Sequence, residues 1–191
     1  MKPGTDVETS DMDGNTALIL AARGPNLNLV TELLKRGADV EAANKNGQTA
    51  LIQATLYERL ETVQILLDRG ANVEACAKGG WTSLLEAADI GASDIVEELV
   101  IRGADINHQG DNGYTALHWA ASSDSLEVVN ILLERGVDLD ATTVEGKTAL
   151  DVAVEENSLE VVTRLKDFTV NQHTGNQSWP TLLKMLLLLP F

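Results

Sequence analysis

Apolar and polar residues recur with a helical period between residues 126 and 134. The apolar positions are Leu126, Val128, Val129, Leu132 and Leu133, and the polar positions between them are Glu127, Asn130 and Glu134. This spacing predicts an amphipathic helix with one buried face. Gly136 follows the last apolar position and can adopt the left-handed conformation that ends a helix. The pattern therefore predicts a helix that stops at this glycine and continues as extended chain.

A shorter helix is predicted just before this one. Residues 115–121 begin with Thr115, whose hydroxyl can cap a helix, and continue with small residues that allow close packing. The unit recurs with a step of 33 residues. One signature starts at Gly14, Gly47, Gly80, Gly113 and Gly146, and a second at Arg36, Arg69, Arg102 and Arg135. Two signatures in constant phase indicate an array of repeats whose core is buried between neighbours.

The repeated motifs resemble those of the ankyrin repeat. They are Gly-x-Thr-Ala-Leu, a pair of alanines, Leu-Glu-Val-Val and Arg-Gly-Ala-Asp-Ile-Asn, and the resemblance covers roughly residues 4–168. It implies an all-α repeat solenoid of helix-turn-helix plus β-hairpin units, with the hairpin tips and first helices on a concave face. The family's usual proline is replaced in every repeat, and its usual histidine is present only as His118. We expect these departures to weaken the capping of single repeats without changing the fold.

The period divides the chain into seven segments. Residues 1–10 correspond to the end of a truncated preceding repeat, which favours a piece of a longer array. The repeats are predicted at residues 11–43, 44–76, 77–109, 110–142 and 143–168, the last one incomplete. The Arg-Gly pair expected at 168–169 is absent, so residues 169–191 are predicted to be a non-repeat, leucine-rich tail. This tail could be a helix covering repeat five, a short motif for a partner, or the end of an alternative transcript.

Composition restricts the partners and the location. Of 191 residues, 14 are Lys or Arg and 29 are Asp or Glu, so the net charge of −15 argues against nucleic acid and anionic membranes as partners. We recognise no secretion signal, and no apolar run approaches the roughly 20 residues of a membrane-spanning helix. The single Cys76 cannot form an internal disulfide and fits a cytoplasmic or nuclear protein. We expect a monomer, with the leucine-rich tail as the main risk of association.

Positions that vary while the repeat signature stays constant are candidates for recognition. The residue after the tip glycine is Asn15, Gln48, Trp81, Tyr114 and Lys147 in successive repeats, so two adjacent tips carry large aromatics. By the family's geometry, variable positions of repeats two to four face one groove. The predicted partner-binding residues are Tyr57, Trp81, Glu86, Asp89, Ile90, Tyr114 and Trp119. Aromatic anchors beside carboxylates favour Lys or Arg of a protein or peptide. Alternatively, Trp119 packs between repeats and Trp81 covers its neighbour.

No residue pattern supports catalysis, a metal site or a cofactor. Residues 141–148 have the form of a phosphate-binding loop with alanine in place of its first glycine, but Gly146 and Lys147 are ordinary hairpin positions and no βαβ unit surrounds them. The three histidines and Cys76 form no ligand set. We therefore predict a non-enzymatic protein-interaction module with a scaffold or adaptor role. The alternative is the regulatory or ligand-sensing portion of a larger multidomain enzyme or channel.

Asn107 is a predicted modification site. Together with Leu99 and Asp105, it matches the spacing of the turn asparagine that an intracellular asparaginyl hydroxylase modifies in ankyrin proteins. The alternative is an ordinary turn residue.

Overall fold

The computed structural model describes residues 7–174, with side chains through residue 171. Within this range, ten helices alternate between a short first helix and a longer second helix, and no sheet is formed. The helices are α1 (Ala17–Ala22), α2 (Leu27–Lys35), α3 (Ala50–Leu56), α4 (Leu60–Asp68), α5 (Ser83–Asp89), α6 (Ser93–Ile101), α7 (Ala116–Ser122), α8 (Leu126–Glu134), α9 (Ala149–Glu155) and α10 (Leu159–Thr174). The predicted all-α repeat solenoid is confirmed.

The first helices form the centre of the array. Each one follows a threonine whose hydroxyl accepts a hydrogen bond from the backbone N–H three residues later, which satisfies a donor that the helix itself leaves unpaired. These threonines are Thr16, Thr49, Thr82, Thr115 and Thr148. Six of the seven residues of α3 are buried, from Ala50 to Thr55. Such burial follows because α3 packs between α1 and α5 as well as against α4.

The second helices bury only one face. In α4, Val63 and Leu66 are fully buried, whereas Glu61 and Asp68 are exposed. Helix α8 begins at Leu126 and ends at Glu134, as the apolar period predicts. Each second helix packs on the first helix of its own repeat and on its neighbours in the row of second helices.

The hairpin tips are tight turns joined to one another by backbone hydrogen bonds. Within the second tip, Asn44 N donates to Gln48 O at 3.0 Å. Between tips, Lys45 N donates to Asp13 O at 2.9 Å and Val144 N donates to Asn112 O at 3.0 Å. Isolated β-bridges close three tips and pair Ser10 with Thr16, Ala43 with Thr49, and Ala77 with Trp81. The tips therefore form a row that follows the first helices and positions the residue after each tip glycine.

Helix α10 is longer than the other second helices. It has 16 residues, whereas α8 has nine, and the predicted boundary between residues 168 and 169 lies inside it. Phe168 packs against the core, and the guanidinium carbon of Arg164 lies 5.3 Å from the centre of its ring. Residues 1–6 and 175–191, which include part of the truncated repeat and most of the leucine-rich tail, lie outside the described residues.

Candidate partner-binding site

Three aromatic side chains from repeats three and four contact one another. The ring centres of Trp81 and Trp119 lie 4.7 Å apart in an edge-to-face arrangement, and those of Tyr114 and Trp119 are also 4.7 Å apart. Trp81 and Tyr114 come from adjacent hairpin tips, and Trp119 comes from α7. We call Trp81, Tyr114 and Trp119 the aromatic cluster. All three are half-buried, so the cluster combines packing with an accessible surface.

Trp81 and Trp119 also pack against the hydrophobic core. This packing agrees with the alternative interpretation of the sequence, in which the two tryptophans have a structural role. Their contact with Tyr114 shows that packing and clustering occur together at this site. Trp119 Nε1 is buried and has no hydrogen-bond acceptor among the described residues. The cluster therefore holds one indole N–H donor that no described residue satisfies.

Helix α5 carries two carboxyl groups that influence each other electrostatically, and one of them, Glu86, contacts the aromatic cluster. Glu86 is only 8% exposed and accepts a hydrogen bond from Trp81 Nε1–H. Burial raises the pKa of Glu86, the hydrogen bond from Trp81 opposes this shift, and the charge of Asp89 adds to it. Burial also raises the pKa of Asp89. Among residues 7–171 no ion pair involves either carboxyl, so this acidic pair lacks a counter-charge in the described part of the chain.

A polar network occupies the same face in repeats one and two. Arg23 Nε donates to Gln53 Oε1 at 2.7 Å, and Arg23 Nη2 donates to Asn15 Oδ1 at 3.1 Å. Asn44 Nδ2 donates to both Asn15 Oδ1, at 2.9 Å, and Gln48 Oε1, at 3.1 Å. None of these residues belongs to the site predicted from the sequence. The available signal was that Asn15, Gln48, Gln53 and Arg23 all stand at positions that vary between repeats.

A family model of ankyrin repeats (three copies) matches residues 1–76 and 80–174. The chain belongs to the ankyrin repeat family. Ankyrin repeats are in general protein–protein interaction modules. A search of curated proteins gives no match to this chain. Within residues 7–174, no helix is long and apolar enough to cross a membrane.

The remaining predicted site residues occupy separate places in the ankyrin array. Tyr57 and Ile90 follow the ends of α3 and α5, where they are the C-cap residues. Tyr57 is 44% exposed, and Ile90 is half-buried. Trp81 contacts both Glu86 and Trp119, and Trp119 contacts Tyr114. Among the ring contacts of the described residues, none joins Tyr57 to the aromatic cluster.

Asn107 lies in a turn between repeats and forms part of a ladder of side-chain bonds. Its Oδ1 accepts a hydrogen bond from Asp138 N at 2.9 Å, and its own N–H donates to Asp105 Oδ1 at 3.0 Å. The corresponding Glu41 and Glu74 accept from the backbone of the following repeat in the same way. Asn107 is therefore the amide member of a series that otherwise uses glutamate, which includes Glu8.

Capping of the ankyrin first helices differs between repeats. His118 Nδ1 accepts from Thr115 N at 3.2 Å, and its Nε2 donates to Lys147 O at 3.0 Å. In repeat five, Asp151 Oδ2 accepts from Thr148 N at 2.9 Å and takes the place of the histidine. The departure from the ankyrin consensus at this repeat is thus compensated by a carboxylate that forms the same capping box.

The stretch that resembles a phosphate-binding loop presents its lysine to carboxylates. Lys147 Nζ lies 2.9 Å from Glu145 Oε2 and 2.8 Å from Glu155 Oε2. The hydrogen bonds to these two carboxylates raise the pKa of Lys147. Among the described residues, no group of three or more His, Cys, Asp or Glu side chains is placed to hold a metal ion.

Proposed function

We propose that the central ankyrin repeats bind a protein segment on their concave face and place a basic side chain of that segment beside Glu86 and Asp89. The observation that carries this proposal is the acidic pair without a counter-charge. Burial raises the pKa of both groups, so their ionised forms are less favourable in the free protein than those of exposed carboxyl groups. A Lys or Arg from a partner would compensate the two carboxylates, and this gain would be realised only in the complex.

The aromatic cluster supports the same proposal. Trp and Tyr supply large contact areas with few rotatable bonds, and a cation is attracted to the face of an aromatic ring. Trp81 and Tyr114 stand on hairpin tips, so they can adjust to a partner without unwinding a helix. The exposed Tyr57 and the half-buried Ile90 would extend the contact surface toward repeat two.

The experiment is a selection of a random dodecapeptide phage library on the protein, followed by calorimetric titration of the enriched peptides. We expect Trp81→Ala to weaken binding at least about tenfold, as for a buried aromatic anchor. Glu86→Gln should weaken the binding of peptides that contain Lys or Arg. The controls are Ile101→Ala and Glu127→Gln, which change exposed side chains on the second helices. Unchanged helical circular dichroism would show that each variant is folded.

Tyr114→Ala tests the site a second time, because Tyr114 is the cluster member that does not pack on the main core. Peptides that bind Trp81→Ala and Tyr114→Ala as tightly as the wild type would contradict the proposal. Peptides that lose affinity only with Ile101→Ala would place recognition on the second helices instead.

We also propose that Asn107 is a substrate for asparaginyl hydroxylation. The residue is exposed in a turn, where an enzyme can reach it. Its amide oxygen is engaged with Asp138 N, so the modifying enzyme would have to open this turn locally. One added oxygen on the peptide that contains Asn107, absent in Asn107→Gln, would support the proposal. An unmodified peptide from cells with an active hydroxylase would contradict it.

A further inference from the structure

The guanidinium of Arg23 is oriented by neutral groups. It donates to Gln53 Oε1 at 2.7 Å and to Asn15 Oδ1 at 3.1 Å. Gln53 is 2% exposed and Asn15 is 6% exposed, and Asn15 is held in turn by Asp11 and Asn44. Because its supporting residues are buried and hydrogen-bonded, the half-buried Arg23 is held in place with its positive charge not neutralised by them.

Gln53 contributes a second donor at the same place. Arginine only donates hydrogen bonds, so the oxygen of Gln53 must face Arg23 and its Nε2 must be the other atom of the amide. Among the described residues, no acceptor is bonded to Gln53 Nε2, and this nitrogen is not one of the fully buried polar atoms that lack a partner, so it still reaches the surface although the residue as a whole is almost fully buried. An accessible N–H donor held beside a guanidinium is available to an external acceptor, and the two groups together favour an anionic one.

Arg23 differs in its surroundings from the paired basic residues of this chain. The ion pairs of the described residues involve Arg36, Arg102, Arg135 and Lys147, and none involves Arg23. A second guanidinium is close, because Arg59 Nε donates to the backbone oxygen of Arg23 at 3.2 Å.

The charge of Arg23 has only a weak effect on the pKa of Asp11. The pKa of Asp11 is lowered first by the side-chain hydrogen bond from Asn15, and Arg23 is the smallest contribution to the shift. The site therefore has local positive charge in a chain whose net charge is −15.

We propose that Arg23 and Gln53 Nε2 form a subsite for a carboxylate side chain of the bound segment. This inference rests on the proposed function, because it places the acidic residue on the same segment that brings a basic residue to Glu86. Gln53 and Glu86 occupy equivalent positions in repeats two and three, and Arg23 reaches Gln53 from repeat one. Neighbouring helices pack about 10 Å apart and an extended chain advances about 3.4 Å per residue. The acidic and basic residues of the partner should thus be separated by about three to six positions.

The test repeats the dodecapeptide selection on four proteins: the wild type, Arg23→Gln, Gln53→Glu and the control Arg36→Gln. Arg36 is an exposed arginine paired with Glu32 on α2, so its variant makes the same charge change away from the subsite. Gln53→Glu supplies an internal carboxylate to Arg23 and should occupy the subsite. We expect an enriched acidic residue at constant separation from a basic residue on the wild type and on Arg36→Gln. The acidic preference should disappear on Arg23→Gln and Gln53→Glu, while the basic preference remains.

Affinity measurements then test the assignment of the contact. Changing the acidic residue of an enriched peptide to its amide should weaken binding to the wild type about tenfold and to Arg23→Gln less than about twofold. Equal weakening on both proteins would overturn the subsite, as would enriched peptides that carry a basic residue without an acidic one. Peptides whose affinity is unchanged by Trp81→Ala and by Tyr114→Ala would instead overturn the proposed function itself. Chemical unfolding of each variant confirms that the proteins compared are folded.

Discussion

Gly113 provides a sharp test of how the hairpin tips hold neighbouring repeats together. Its φ is +78°, and a Cβ at this position would lie 2.8 Å from Val144 N and 2.9 Å from Thr143 Cα. Gly146 has nearly the same backbone, with φ of +77°, but no heavy atom of the other described residues, apart from its two chain neighbours, lies within 4 Å of its Cβ position. Replacing each glycine by alanine therefore separates the cost of the left-handed backbone from the cost of the steric clash.

The two costs can be estimated separately. A left-handed backbone costs an L-residue about 1–2 kcal/mol, and this term is common to both variants. The effect of alanine on the unfolded chain is also common to both. Overpacking adds about 1–3 kcal/mol at Gly113, because the atoms in the way are backbone and no rotamer change relieves the contact. The tip must shift, and the 3.0 Å hydrogen bond from Val144 N to Asn112 O would lengthen.

The assay is urea unfolding followed by far-ultraviolet circular dichroism, with the denaturant slope compared between variants to check that the folded and unfolded states are equivalent. We expect Gly146→Ala to lower the free energy of unfolding by about 1 kcal/mol and Gly113→Ala by about 2–4 kcal/mol. Equal destabilisation by the two substitutions would refute the argument that contact between tips, and not backbone conformation alone, determines the requirement for glycine at this position.

Three further predictions concern Glu86, His118 and Asn107. Because burial raises the pKa of Glu86, its contribution to stability is greatest below about pH 4.5 and is lost as the pH rises through the raised value. In urea unfolding, Glu86→Gln should therefore be more stable than the wild type at pH 7, and the difference should be smaller at pH 5. Burial lowers the pKa of His118 below 6.5, so stability should fall as the pH drops from about 6.5 toward the lowered value, since the unfolded chain takes up the proton first. The free energy of unfolding of His118→Gln should lack this pH dependence. An NMR titration that gives a pKa above 6.5 for His118 would contradict the prediction. Asn107→Ala removes the acceptor for Asp138 N and should cost about 0.5–1.5 kcal/mol in thermal unfolding, whereas Asn107→Asp keeps the acceptor and should cost less.

The absence of the Arg-Gly pair predicted a change at the end of repeat five, but it did not predict the length of helix α10. The other second helices end at an Arg-Gly pair, and the glycine adopts a positive φ, as at Gly136 with +77°. No glycine stands at position 169, and the helix continues to Thr174. The missing signature therefore corresponds to a missing helix stop, because nothing in the local sequence closes the helix at that point. The length of the helix could not be read from the repeat period, which ends there.

The candidate site was only partly predictable. The repeat phase places Trp81, Glu86 and Trp119 on one face, but the phase does not show that Trp81 donates to Glu86. It also left out Arg23 and Gln53, which are 30 residues apart and meet through a 2.7 Å hydrogen bond. Variation between repeats identified both positions as free to change, yet their partners depend on side-chain directions in the folded array.

The sequence by itself determined the repeat unit, because its signals act over short distances along the chain. Threonine caps, apolar residues at helical spacing and glycines with positive φ operate within a few residues of each other. Only the tertiary structure decided which side chains of neighbouring repeats meet. Contacts such as Trp81 with Trp119, and Arg23 with Gln53, depend on how one repeat is offset on the next and on the rotamers that this stacking allows.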